Sequence, residues 1–111
     1  MDEIALLVVK VGTALISSPA KCLDEGKMRP IVEDVAGLRK QGVKIIFVSS
    51  GAIGAGMSVL GLKTRPKLLP QKQAAAAIGQ GNLMHFYKAL FGEFGLSVAQ
   101  VLLTKDDLDE R

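Results

Sequence analysis

Two stretches decide the fold: Leu6-Leu7-Val8-Val9-Lys10-Val11-Gly12-Thr13, and Ile45-Ile46-Phe47-Val48-Ser49-Ser50-Gly51-Ala52. Each is an apolar run without turn residues, the pattern of a strand buried on both faces. Each then stops at glycine and hydroxyl residues. In an open parallel sheet, ligands bind just past the carboxyl ends of the strands. If the two strands lie side by side, Lys10, Gly12, Thr13, Ser50 and Gly51 share one crevice.

Working outward, Ile4–Val9 reads as the first strand and Ser17–Lys27 as a loop, with Pro19 and Gly26 in it. Pro30 suits the first turn of a helix. Ile31, Val35 and Leu38 then recur at helical spacing, Arg39 and Lys40 fill the last turn, and Gly42 stops it. Val43–Val48 is the second strand and Ala52–Leu60 a short helix ended by Gly61. Lys63–Pro70 is a basic loop. The spacing predicts a long helix over Gln73–Phe91, its apolar stripe running through Ala74, Ala77, Ile78, Gly81, Met84 and Phe91. Val98–Leu103 reads as a third strand. Strands alternating with helices give βαβ units, so the expected architecture is an α/β three-layer αβα sandwich with a mainly parallel sheet.

The chain of 111 residues suffices for about one small domain. With 49% hydrophobic and 23% charged residues it has a globular, not a disordered, composition. No apolar stretch reaches the roughly 18 residues of a membrane span. Met1-Asp2-Glu3 is acidic where a signal peptide is basic, and the single cysteine, Cys22, forms no internal disulfide. A cytoplasmic protein is the expectation. The net charge of +3 suits an anionic small molecule. It does not argue for nucleic acid, and there is no aromatic stacking platform.

Thr104-Lys105-Asp106-Asp107 has the form of a helix start, with Thr104 as cap and the acids at the positive end of the dipole. One turn of helix is not stable alone, and three buried strands leave raw edges. Residues 1–111 are therefore expected to be the N-terminal part of a larger domain.

Lys10 is the sharpest chemical signal. A lysine ending an apolar strand needs an anionic partner when buried, and a triphosphate supplies one. The alternative is a lysine that reaches out to solvent or pairs with a carboxylate. Gly12 allows close backbone approach, and successive amides after it can form an anion nest. Ser49, Ser50 and Gly51 sit where a strand meets a helix N-terminus, which favours phosphate or carboxylate. One serine could instead cap the helix, which leaves the other unexplained. Gly54 and Gly56 each cost their helix about 1 kcal/mol against alanine, so close packing or a ligand should offset them. The glycine order fits no dinucleotide fingerprint, and there is no Walker-type loop. His85 has no partner at metal spacing and reads as structural. Cys22 has no basic or histidine neighbour at motif spacing except Lys21, which does not suggest a catalytic thiol. Asp106, Asp107, Asp109 and Glu110 could in principle hold a metal, and helix-start electrostatics explains the first two without one. Together these residues have the chemistry of a small-molecule kinase.

Val8-Val9-Lys10-Val11-Gly12-Thr13, Val48-Ser49-Ser50-Gly51-Ala52-Ile53, Lys72-Gln73-Ala74-Ala75-Ala76-Ala77-Ile78-Gly79-Gln80 and Gln100-Val101-Leu102-Leu103-Thr104 occur in that order. Together they resemble the glutamate 5-kinases, the γ-glutamyl kinases of the amino acid kinase superfamily, over essentially the whole chain. The resemblance implies ATP-dependent phosphorylation of the glutamate γ-carboxylate, the first step of proline biosynthesis. It implies that Lys10 is catalytic and binds ATP phosphates with Gly12 and Thr13. It implies that Ser50, Gly51 and Ala52 border the glutamate, with Mg²⁺ bridging phosphate oxygens and no metal held by this segment. A homo-oligomer without membrane or nucleic-acid partners is expected.

Family members have a kinase domain more than twice this long. The resemblance therefore places the base pocket, the rest of the glutamate site and a second lysine outside this chain. The 111 residues alone are expected not to turn over. The rival readings are an amino acid kinase for another small carboxylate, and a non-catalytic segment that binds a partner chain.

Overall fold

The computed structural model describes residues 6–19, 21 and 23–100. Strand β1 spans Leu6–Val11 and β2 spans Lys44–Ser49. They pair in parallel, from Leu6 opposite Lys44 to Val11 opposite Ser49. Between them run a short 3-10 turn, Thr13–Leu15, and helix α1, Glu25–Lys40. Helices α2, Ala52–Leu60, and α3, Leu69–Gly92, follow β2. The α/β class and the parallel pairing of the two decisive stretches match expectation. Of the expected third strand, residues 98–100 are irregular. The rest of it, the helix start at Thr104, the acids beyond it, Cys22 and Met1–Glu3 lie outside the described residues.

Alternation along the strands sets the core. Val9, Val11, Ile45 and Phe47 pack toward α1 and α3, where Met28, Val32, Val35, Leu83, Tyr87, Leu90 and Phe91 are buried. Phe47 meets the rings of Tyr87 and Phe91 edge-on, with centroids 5.0 and 5.9 Å away. Such pairs add about 0.5–1.5 kcal/mol beyond the area they bury. The alternate residues Leu6, Val8, Ile46 and Val48 are 45–61% exposed. Burial on both faces is thus not what the described residues supply: one helical layer covers one face. The opposite, apolar face is the one that a second layer covers in an αβα sandwich.

Helix α1 opens five residues before Pro30. Asp24 caps it, its carboxylate accepting the Gly26 amide at 2.9 Å. The hydrogen bond with Ser18 is the largest influence holding the Asp24 carboxyl below its ordinary range; desolvation opposes it, and the Gly26 backbone, the Lys21 charge and the Lys27 backbone add to the lowering. A good cap therefore overrides the proline signal, and Pro30 is carried inside the helix, where its ring removes one backbone donor. Arg29 pairs with Glu93 just past α3 and lies 3.9 Å from Glu25, linking the two helices at the surface.

Helix α3 opens at Leu69 with Pro70 in its first turn. Its buried stripe is Ala75, Gly79, Leu83, Tyr87, Leu90 and Phe91. Ala74, Ala77, Ile78 and Gly81 are exposed and Met84 half-buried, so only Phe91 of the expected stripe faces the core. The helix is apolar around much of its circumference, and α2 selects the inner face. A Cβ on Gly56 would lie 1.7 Å from the Ala75 carbonyl oxygen, and one on Gly79 1.6 Å from that of Ala52. The two backbones touch, and that contact is what offsets the cost of Gly56. No described atom lies within 4 Å of a Cβ on Gly54.

Candidate functional site

Parallel pairing brings the two strand ends together. The Ser50 amide donates to the Val11 carbonyl at 3.0 Å, one step past the Val11–Ser49 pair. Lys10, Gly12 and Thr13 thus lie beside Ser50, Gly51 and Ala52, as the strand-end reading expects. Lys10 is exposed, opposite Val48 on the face not covered by helices. The argument from a buried ammonium therefore does not apply to it among the described residues. Water solvates the charge, and no described carboxylate pairs with it.

The turn after β1 is built from backbone. Gly12 has φ −80° and ψ 162°, an extended conformation open to any residue. No described atom lies within 4 Å of where its Cβ would stand. The Leu15 amide donates to the Gly12 carbonyl and the Ile16 amide to that of Thr13, each at 3.1 Å. A trans peptide points its C=O and N–H in opposite directions. Holding the Gly12 and Thr13 carbonyls inward turns the Thr13 and Ala14 amides outward. Neither those two nor the Gly12 amide has an acceptor among the described residues.

The turn after β2 leads straight into α2. Gly51 is the residue before the helix, with φ +111°, a conformation that side chains resist. Its absent Cβ would lie 3.2 Å from Cδ1 of the fully buried Ile16, so the two turns meet through that side chain. No described side chain caps α2, and its first amides face out along the positive end of the dipole. Neither serine caps the helix among the described residues, so the capping alternative accounts for neither. Ser49 lies 2.7 Å from the Tyr87 hydroxyl and donates to the Ser50 carbonyl at 3.1 Å. With that donation fixed, Tyr87 supplies the other proton. Burial pushes the Tyr87 phenol up, and its bond to Ser49 pulls the other way. Ser49 is thus tied into the fold, and Ser50 is the exposed hydroxyl.

Two participants escape sequence reasoning. Tyr87 sits 38 positions from Ser49, with no local signal for the pair. Lys27 Nζ donates to the Ala14 and Ser17 carbonyls at 2.8 and 2.6 Å. A surface lysine in a helix's first turn looks like any solvated charge until the loop folds over it. Beside Ala52, a shallow depression is lined by Ala76, Ala77, Gln80, Gly81 and Gln100. Chemically, the site offers a strand-end ammonium, outward amides from two adjacent turns and one hydroxyl, a donor set for anionic oxygens.

Comparison with known proteins bears on the same residues. The amino acid kinase family matches residues 5–111. Glutamate 5-kinase of Clostridium acetobutylicum is 50% identical over the whole chain, which covers 42% of that protein. The enzyme of Moorella thermoacetica is also 50% identical over the whole chain, covering 29% of it. That of Thermus thermophilus is 53% identical over 95% of the chain, which covers 28% of it. The chain thus spans less than half the length of these curated relatives. No helix among the described residues is long and apolar enough to cross a membrane. With the family matched through both strand-end turns, the chain belongs to the amino acid kinase family.

Proposed function

We propose that this chain supplies the strand-end portion of the active site of a glutamate 5-kinase, residues 1–111 being the N-terminal part of its kinase domain. The observation that carries the reading is the pair of adjacent turns, with outward amides at Thr13 and Ala14 and at the start of α2. The similarity to proteins named glutamate 5-kinase supports the choice of acid. In the proposed reaction a γ-carboxylate oxygen of glutamate attacks the γ-phosphorus of ATP. The new P–O bond forms as the bridging bond to the β-phosphate breaks, and its electrons leave on ADP. The attacking carboxylate is already ionised at neutral pH, so no strong base is required. Catalysis then rests on positioning and charge neutralisation.

Lys10 is assigned to the ATP phosphates as the catalytic cation, with Gly12 and Thr13 contributing amides. Ser50, Gly51 and Ala52 are assigned to the glutamate. The donor set consists of N–H and O–H groups, which fit phosphate and carboxylate oxygens rather than a bare cation. Mg²⁺ would then be held by the nucleotide phosphates, where it would shield their charge. A cytoplasmic homo-oligomer goes with this reading.

The test uses the natural gene product and a phosphorylation screen of glutamate, aspartate, acetylglutamate and carbamate. Glutamate is expected to be the preferred acceptor, and preference for another acid refutes the reading. Lys10→Ala is expected to lower kcat by orders of magnitude with the fold intact; an unchanged kcat removes Lys10 from its role. Ser50→Ala is expected to raise the glutamate KM. An effect confined to ATP reassigns that turn.

A further inference from the structure

Two turns of this chain carry outward amides, yet only one is backed by a regular α-helix. The turn after β2 leads into an α-helix of nine residues. The turn after β1 is three residues of 3-10 helix, and no regular element follows it among the described residues before Glu25. Such a turn is a weak platform, because 3-10 geometry makes poor hydrogen bonds and short pieces fray. Something else must hold it if its amides are to bind an anion without a large ordering cost.

Lys27 meets that requirement. An ammonium has three N–H donors and no acceptor. Two of those donors go to the Ala14 and Ser17 carbonyls, at 2.8 and 2.6 Å. Both distances fall in or below the short range of charge-assisted bonds. Ala14 lies within the 3-10 turn and Ser17 just beyond it, so one side chain staples the turn to the segment leaving it. The Ser17 hydroxyl donates in turn to the Thr13 carbonyl at 2.9 Å, the carbonyl whose peptide plane carries the Ala14 amide. A positive charge at the carbonyl end of the turn also complements its dipole.

The base of the staple is rigid. Lys27 lies in the first turn of α1, where its amide bonds to the Asp24 carbonyl at 3.0 Å. The Asp24 amide bonds back to Ile16 at 2.8 Å, and Ile16 is fully buried. The β1 turn, the start of α1 and the core are therefore one connected unit, and Lys27 is the only charged side chain among the described residues that reaches into the turn itself.

We infer that Lys27 is a positioning residue for nucleotide phosphates, holding the Thr13 and Ala14 amides outward without touching the substrate. This deepens the function proposed above and rests on it. Its role is distinct from that of Lys10, which is assigned to the phosphates themselves. Lys27 also lies on the β1 side of the site alone, so its effect should reach the nucleotide and spare the acid.

The experiment measures the Kd of the magnesium complex of a non-hydrolysable ATP analogue, together with both KM values, in the natural gene product and two variants. Lys27→Met keeps the aliphatic stem and removes the donors. It is expected to weaken nucleotide binding about tenfold, the worth of roughly one hydrogen bond to a charged group. The glutamate KM should stay within about twofold. Lys27→Arg, which retains several donors, should restore most of the affinity. A Lys27→Met protein with wild-type nucleotide affinity refutes the inference alone. A parallel rise in both KM values refutes it too, since that is the mark of a general structural loss. Wild-type protein that binds no nucleotide refutes the proposed function and this inference together.

Discussion

Gly79→Ala tests the packing that places the second turn. In most exposed helix positions, glycine to alanine stabilises by about 1 kcal/mol through helix propensity. At Gly79 the new Cβ would stand 1.6 Å from the Ala52 oxygen, 2.5 Å from the Gly56 nitrogen and 2.7 Å from the Ala52 carbonyl carbon. All three are backbone atoms, so no side chain can swing aside. Ordinary contact for such atoms is about 3.5 Å, so α2 and α3 must part by roughly 2 Å. Overpacking of this kind costs about 1–3 kcal/mol and occasionally more. The clash is deep, and the upper part of that range applies. Set against the propensity gain, the net loss is about 2 kcal/mol. Because Ala52 is the first residue of α2, the shift also moves the Gly51-Ala52 turn off the sheet end, and the glutamate KM should rise with it. Gly81→Ala is the control on the same helix. No described atom lies within 4 Å of its Cβ, so it should gain about 0.5–1 kcal/mol. Urea unfolding of the three proteins side by side measures both. A Gly79→Ala protein at least as stable as wild type would falsify the backbone-contact account.

Tyr87→Phe should cost about 1 kcal/mol near neutral pH by removing the bond to Ser49. Since burial raises the phenol's folded pKa, its neutral form is favoured in the native state. Stability is then complete below the unfolded value of about 10 and falls as pH rises through the folded one. The Phe variant should lose that alkaline decline in thermal melts; an unaltered decline assigns it to another group. Asp24→Ala should lower Tm at neutral pH by uncapping α1. The folded pKa of Asp24 is lowered from 3.8, so its contribution is present above that value and lost as pH falls through the folded one. The Tm difference between wild type and Asp24→Ala should therefore shrink on acidification, and a constant difference refutes the capping role.

Much of this architecture was legible in the chain because it is local. The bounds of α2 follow from Gly51 before it and Gly61 after it, and the structure places them there. The apolar runs ending at Gly12 and at Ser50-Gly51 specify strands, and the helix between them makes their pairing parallel. Gly56, costly in a helix, announced a close approach before its partner was known. The start of α1 differs from the sequence expectation because Pro30 is a strong local signal, whereas the Asp24 cap depends on how the preceding loop turns back.

The sequence by itself determined the two strands, their glycine-bounded turns and the residues set at their ends. Backbone conformation and alternating polarity act over a few neighbours, so they can be read along the chain. Which face of α3 is buried depends on helix packing, since small and apolar residues are spread round much of its circumference and α2 makes the choice through Gly56 and Gly79. The tertiary structure also set Ser49 against Tyr87 while Ser50 stays exposed, and it placed Lys27 over the β1 turn. Those outcomes depend on contacts between distant residues, and their energies exist only once the helices and the sheet have come together.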